Sequence, residues 1–153
     1  MVYRMNIYVD GGCRGNGQPD AIGAAAAVFR YRGGRTQTWT RQLPDGFYDP
    51  PATNQRAEIT AIILALNIAL DKYEQLDYCP KVDVTIYSDS KYVVNCMTEW
   101  IYGWLQNDWK NSRGFEVVNR DLIEEANDLD DRLRELGRNT QADEACNDCM
   151  DEM

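Results

Sequence analysis

No histidine occurs in the chain, and this removes the Ser–His and Cys–His pairs of nucleophilic hydrolases as well as any zinc site that relies on imidazole. No run of about 18 apolar residues is present, so no membrane-spanning helix is expected. The first residues, Met1-Val2-Tyr3-Arg4-Met5-Asn6, enter a strand pattern directly, without the apolar stretch and small-residue cleavage site of a secretory signal. An intracellular protein with no membrane partner is the expectation. Cysteine is sparse and odd in number: Cys13, Cys79, Cys96, Cys146 and Cys149 stand at scattered spacings that fit reduced thiols and not a disulfide framework. Cys146 and Cys149 form a lone C-x-x-C that would share a face on a helix. With no second pair to complete a zinc site, they read as free thiols.

Positive charge is also scarce. A net charge of −9 argues at first against a nucleic-acid partner, because phosphate binding depends on lysine and arginine. The distribution reverses that. Met1 to Asp45 carries six arginines against three aspartates, Gly46 to Thr98 is −3, and Glu99 to Arg120 is balanced. Asp121 to Met153 then carries twelve acids against three arginines, so the whole excess is C-terminal. The first 120 residues are neutral and have room for a local basic groove.

What is present is ordinary for a globular domain: 44% apolar and 27% charged residues. A chain of this length makes one domain, 1–153, and buries roughly 68–70% of its unfolded surface. Tyr3 to Asp10 alternates apolar and polar residues as a strand does, and the glycine-rich stretch Gly11 to Gly17 reads as the turn that ends it. Ile22 to Arg32 and Arg35 to Leu43 flank Gly33-Gly34 and read as an antiparallel hairpin. Pro44, Asp45, Gly46, Pro50 and Pro51 mark a loop. From Thr53 a helix follows, with Ile59, Ile62, Ile63, Leu66, Ala69, Leu70 and Tyr73 on one face. Val82 to Tyr87 is the next strand, and Ser88-Asp89-Ser90 leads into a short helix through Met97. Glu99 to Trp109 is helical, broken at Gly103. Val118, Leu122, Ile123, Ala126, Leu129, Leu133 and Leu136 make an amphipathic helix stopped by Gly137. A last helix is expected from about Asn139 to Met150.

Four acidic residues in four segments carry the chemistry: Asp10, Glu58, Asp89 and Asp143. Asp10 and Asp89 end strand-like runs, and the carboxyl end of the strands is where open α/β sheets place their sites. Gathered carboxylates repel unless a cation sits between them. Hard divalent ions take oxygen ligands, and two of them about 4 Å apart clamp the attacking and leaving oxygens of a phosphodiester. These residues point to metal-assisted cleavage of nucleic acid.

The motifs, in order, resemble the type 1 ribonucleases H. The matching stretches are Tyr8 to Gly12 with Asn16-Gly17, Ala52 to Glu58, Tyr87 to Val94, Trp100 to Trp104 with Asn107 to Ser112, and Val117 to Leu122. The resemblance implies an α/β fold with a five-stranded mixed sheet of order 3-2-1-4-5, and hydrolysis of the RNA strand of an RNA–DNA hybrid with two Mg²⁺ or Mn²⁺ ions. It implies that Asp10, Glu58, Asp89 and Asp143 are the catalytic, metal-binding carboxylates, with Asp10 shared between the ions. Asn16, Asn54 and Gln55 look like readers of the RNA minor groove, where 2′-hydroxyls distinguish RNA. Thr53 and Asn119 would hold a DNA phosphate, and Trp100 and Trp104 would line the DNA channel. A monomer is expected. The competing class is a noncatalytic hybrid-binding module of the same fold; another nuclease or integrase of that superfold is more remote.

The pattern departs from the family in three places. Pro51 stands where the phosphate pocket often has an arginine, and Glu99 to Arg120, basic in some members, is neutral. After Leu136 only residues 137–142 precede Asp143, where the family has a fifth strand and a histidine-bearing loop. A five-residue strand spans about 17 Å and six extended residues reach about 20 Å. The fifth strand is therefore expected to be missing from this sequence: a true deletion would leave the strand Val82 to Tyr87 as an exposed edge, whereas a segment lying outside this sequence would cover that strand and leave a monomer.

Overall fold

The computed structural model describes residues 2–18, 20–44, 50–76, 78, 80–140 and 149–150. Strand β1 (Val2–Arg14) is the centre of the sheet. It pairs antiparallel with β2 (Ile22–Arg30), which pairs antiparallel with β3 (Thr36–Gln42), and on its other side it pairs parallel with β4 (Lys81–Tyr87). The order is 3-2-1-4, as the resemblance implied, with two residues of β5 (Cys149–Met150) added parallel to Thr85 and Ile86 of β4. This β5 follows position 143 in the chain, so it is not the fifth strand that the resemblance implied; it covers part of the β4 edge that a deletion was expected to leave bare.

The hairpin expectation holds for a reason that local propensity does not supply. Ala24 to Ala27 favour a helix by propensity. In β2, however, Gly23, Ala25, Ala27 and Phe29 are buried and alternate with more exposed residues, and the tight hydrogen-bonded register with β1 accepts small side chains. β1 does not stop at Asp10. It continues through Gly11, Gly12 and Cys13 to pair Arg14 with Ile22, so the turn begins at Gly15, four residues later than the glycine content suggested.

The parallel crossover from β1 to β4 is made by α1 (Asn54–Glu74), which lies across the sheet. Met5, Ile7, Val84 and Ile86 from the sheet meet Ile59, Ile62, Ile63 and Leu66 from the helix, all essentially inaccessible. Burying each such side chain contributes roughly 1.5–3 kcal/mol. The final long helix, α4 (Arg120–Thr140), packs on α1 through Ile123, Ala126, Leu129 and Leu133. Its periodic apolar face was legible, but its limits were not. Val118 precedes it and is 69% exposed, while Val117 is buried instead. Gly137 does not stop it; a glycine inside a helix costs only about 1 kcal/mol against alanine, and no proline follows. Asn139 and Thr140 thus belong to α4, and Cys149–Met150 to a strand, which replaces the expected last helix at both of its ends. Residues 141–148, with Asp143 and Cys146, lie outside the described residues.

Between β4 and α4 the chain forms α2 (Lys91–Asn95), a π-helical segment (Cys96–Trp100) and α3 (Ile101–Gln106) without interruption. Gly103 does not break this helical run. Among the described residues no helix is long and apolar enough to cross a membrane.

Candidate active site

The parallel ladder between β1 and β4 ends at Tyr8 and Tyr87, whose rings stack with centroids 4.5 Å apart. Asp10 and Asp89 each stand two residues beyond this pair, at the same end of the sheet. Glu58 reaches that end from α1. The approach is close: a Cβ on Gly11 would lie 2.4 Å from the carbonyl carbon and oxygen of Ala57 and 2.7 Å from the Glu58 nitrogen. Only a residue without a side chain permits it, which explains glycine after Asp10 better than a turn does.

Glu58 is tied to the segment after β4 that carries Asp89. Ser90 Oγ donates to Glu58 Oε1 at 2.8 Å and accepts from Val93 N at 3.2 Å, so one hydroxyl caps α2 and fixes the carboxylate. Ser90 lies within the Tyr87 to Val94 motif, and its position at a helix start is the sequence signal for this capping role. Among the described residues, no three Asp, Glu, Cys or His side chains close around a point as a ready-made metal cage. The donors at this end are oxygen only, and Mg²⁺ is ordinarily held by one or two carboxylates with water and phosphate oxygens completing its shell. An open set fits such an ion; it would not fit a thiol- or imidazole-seeking one. Asp143, the fourth expected carboxylate, lies outside the described residues.

Asn16 and Asn54 are brought together. Asn54 N donates to Asn16 Oδ1 at 2.8 Å, Cys13 N donates to Asn54 Oδ1 at 2.9 Å, and Gly17 N donates to Ala52 O at 2.8 Å. The turn after β1 is thereby clamped to the start of α1, with each amide oxygen accepting one bond. The NH₂ groups remain as donors suited to base-edge acceptors and 2′-hydroxyls. Gln55 is exposed beside them.

Thr53 and Asn119 line one cleft of about 780 Å³, together with Gly17, Pro51, Arg56 and Arg120. Thr53 is the N-cap of α1 and accepts from Arg56 N at 3.0 Å. Asn119 has φ +65°, a left-handed conformation that asparagine tolerates better than most residues. Its side chain is held at both ends: Arg56 Nη1 donates to its Oδ1 at 3.2 Å, and its Nδ2 donates to Tyr92 Oη at 3.1 Å. Arg56, with a side chain only 12% exposed, also grips Asp121 with two bonds of 3.1 and 2.7 Å. The Arg56 guanidinium holds the Asp121 carboxyl below its ordinary range. Burial pushes the Tyr92 hydroxyl up to about 12 and the neighbouring Cys96 thiol up to about 11, so each stays protonated at neutral pH. Arg56 and Tyr92 as holders of Asn119 escaped the sequence reading, because their partners lie 63 and 27 residues away.

Trp100 and Trp104 sit in an aromatic series running Tyr92, Trp100, Trp104, Trp109 at centroid spacings of 6.1–6.4 Å. Trp109 is buried and Trp104 packs against the core. Trp100, 40% exposed, is the tryptophan of the pair with more surface open to a ligand.

Residues 3–134 match the family described as RNase H. Ribonuclease HI of Pasteurella multocida strain Pm70 is 35% identical over 122 residues, covering 80% of this chain and 67% of the relative. Ribonuclease H of Clostridium botulinum strain Hall is 30% identical over 157 residues, covering 95% of each. A solved structure of LC9-RNase H1, described as a type 1 RNase H with the type 2 active-site motif, shows a TM-score of 0.63 at 26% identity, covering 84% of this chain and 58% of that one. With its motif order, its sheet and these relatives in agreement, the chain belongs to the ribonuclease H family.

Proposed function

We propose that this chain hydrolyses the RNA strand of RNA–DNA hybrids as a metal-dependent endonuclease, with Asp10, Glu58, Asp89 and Asp143 as the carboxylates that hold two Mg²⁺ or Mn²⁺ ions. The observation that carries the reading is the placement of Asp10, Glu58 and Asp89 at one end of the sheet by three different elements, with Glu58 anchored by Ser90. Bound divalent ions would supply Lewis-acid stabilisation of the phosphodiester and a water nucleophile near neutral pH. The protein's own contribution is position. Ser90 orients Glu58, Gly11 lets α1 approach Asp10, and the paired Asn16 and Asn54, with Gln55, present donors to the RNA minor groove. Thr53 and Asn119 seat a phosphate of the DNA strand, and Trp100 with Trp104 flanks its path. The reaction needs no side-chain nucleophile, in keeping with a chain that has no histidine.

The deciding experiment is Mg²⁺-dependent cleavage of a hybrid beside RNA and DNA duplexes, with the wild type and Asp10→Asn. The wild type should cut the hybrid alone, and the variant should lose several kcal/mol of transition-state stabilisation. A variant retaining more than about a tenth of the rate would exclude Asp10 as an ion-bridging ligand. Hybrid binding by the wild type without cleavage would mark a noncatalytic binding module.

A further inference from the structure

The cleft formed by Thr53 and Asn119 contains two cations, and they are not equivalent. Arg56 is almost buried and makes three hydrogen bonds inside the protein, one to Asn119 and two to Asp121. Pro50 and Pro51 form part of the wall and bring no charge. Arg120 lines the same cleft from the first turn of α4. Its guanidinium lies 5.5 Å over the Trp109 ring, which supports the side chain. Its Nη1 donates to Glu116 at 2.9 Å and its Nε to Glu124 at 3.3 Å. Glu116 is largely exposed and Glu124 half-buried, and solvent-accessible i,i+4 pairs of this kind hold weakly. A cation at the start of a helix also opposes the helix dipole, which offsets part of what these two pairs contribute.

We propose that Arg120 is the cation that receives the DNA-strand phosphate in this cleft, exchanging Glu116 and Glu124 for the phosphate oxygens, while Arg56 and Tyr92 only hold Asn119 in place. The assignment rests on the hybrid-cleaving function above and adds to it the residue that supplies the charge. An arginine fork matches two phosphate oxygens at once. Glu116 and Glu124 neutralise that fork when no substrate is bound and compete with phosphate for it, so this chain's affinity for the DNA strand is set by a local exchange of anions.

The test uses steady-state cleavage of a hybrid by the full chain across a series of KCl concentrations. Wild-type turnover is the control for the underlying function, because without it the function fails before the cleft is examined. Arg120→Ala should raise KM roughly tenfold with kcat unchanged, and the slope of log KM against log[KCl] should fall by roughly 0.9, the loss of one phosphate contact. Arg120→Lys should recover the slope and only part of the KM. Glu116→Gln, which frees Nη1, should lower KM. A hybrid with one methylphosphonate linkage moved along the DNA strand should weaken wild-type binding at one position where Arg120→Ala shows no further loss. Circular dichroism melts confirm that the variants fold, and the methylphosphonate arm on the wild type stands even if one does not. Wild-type KM and salt slope in Arg120→Ala, a fall in kcat at unchanged KM, a rise in KM for Glu116→Gln, or no sensitive linkage would each overturn the assignment.

Discussion

Ser90 Oγ lies 2.8 Å from Glu58 Oε1 and donates to it while capping α2 through Val93 N. A single hydroxyl joins the helix that carries one candidate ligand to the segment that carries Asp89. Ser90→Ala should therefore cost about 1 kcal/mol of stability through the lost cap and weaken metal affinity by roughly 10–100-fold, the usual penalty for removing a partner that orients a ligand. Metal titration of activity measures the second effect and a denaturant melt in chelator the first. Ser90→Thr should restore both; an unchanged metal requirement in Ser90→Ala would show that the hydroxyl serves the helix alone.

The contact between Gly11 and α1 predicts a backbone-level failure. In Gly11→Ala the new Cβ meets Ala57 carbonyl atoms at 2.4 Å, and these cannot swing aside as a flexible side chain would. Destabilisation of about 3 kcal/mol is expected, at the upper end for overpacking. Urea unfolding should show a lower midpoint at unchanged m-value. Gly12→Ala, where nothing lies within 4 Å, is the matched control and should be nearly neutral.

Asp121 supplies a pH dependence with a defined sign. Arg56 lowers its folded pKa below the ordinary 3.8, so the stability it contributes is complete above about pH 4 and disappears as the pH falls through the lowered folded value. The Asp121 side chain is 60% exposed, and solvent screening keeps the contribution small. Asp121→Asn should be less stable than the wild type at pH 7 and equal to it near pH 2. Thermal melts across that range test it, and a stability gap that persists to the acid limit would assign the effect to packing.

Asn54→Ala and Gln55→Ala should raise KM for the hybrid while leaving metal dependence unchanged. The two should differ in stability, because Asn54 Oδ1 also accepts from Cys13 N and Gln55 has an exposed side chain. Gln55→Ala is thus the cleaner probe of the groove. Equal weakening of hybrid and DNA-duplex binding would mean that these residues contact backbone generally and do not sense 2′-hydroxyls.

The elements that were legible in advance are those whose signal is local. The apolar face of α1, the Gly33-Gly34 hairpin, the apolar stripe of α4 and the strand Val82 to Tyr87 are written within windows of a few residues, because side-chain period and turn chemistry are short-range properties. The same holds for the family motifs, whose order alone pointed to the fold and nominated the carboxylates. The residues that hold the site together were not legible. Arg56 pairs with Asp121 across 65 residues and Ser90 with Glu58 across 32, and nothing in the spacing of either pair announces the contact.

Element limits show the same division. Gly11 and Gly12 resemble a turn in isolation and become strand because β2 supplies partners out to Ile22. Gly103 and Gly137 look like stops, but the helices continue through them, since one glycine inside a helix costs only about 1 kcal/mol against alanine. Val118 fits the helical period and is nonetheless exposed, because the chain enters α4 through the left-handed Asn119, which rotates Val117 into the core instead. Sequence by itself determined the four main strands, the two long helices and the family, and it nominated the candidate carboxylates, since these depend on residue type and local period. Only the tertiary structure decided which side chains fix them in place, because hydrogen bonds and close backbone approaches between distant segments exist only once the chain has folded.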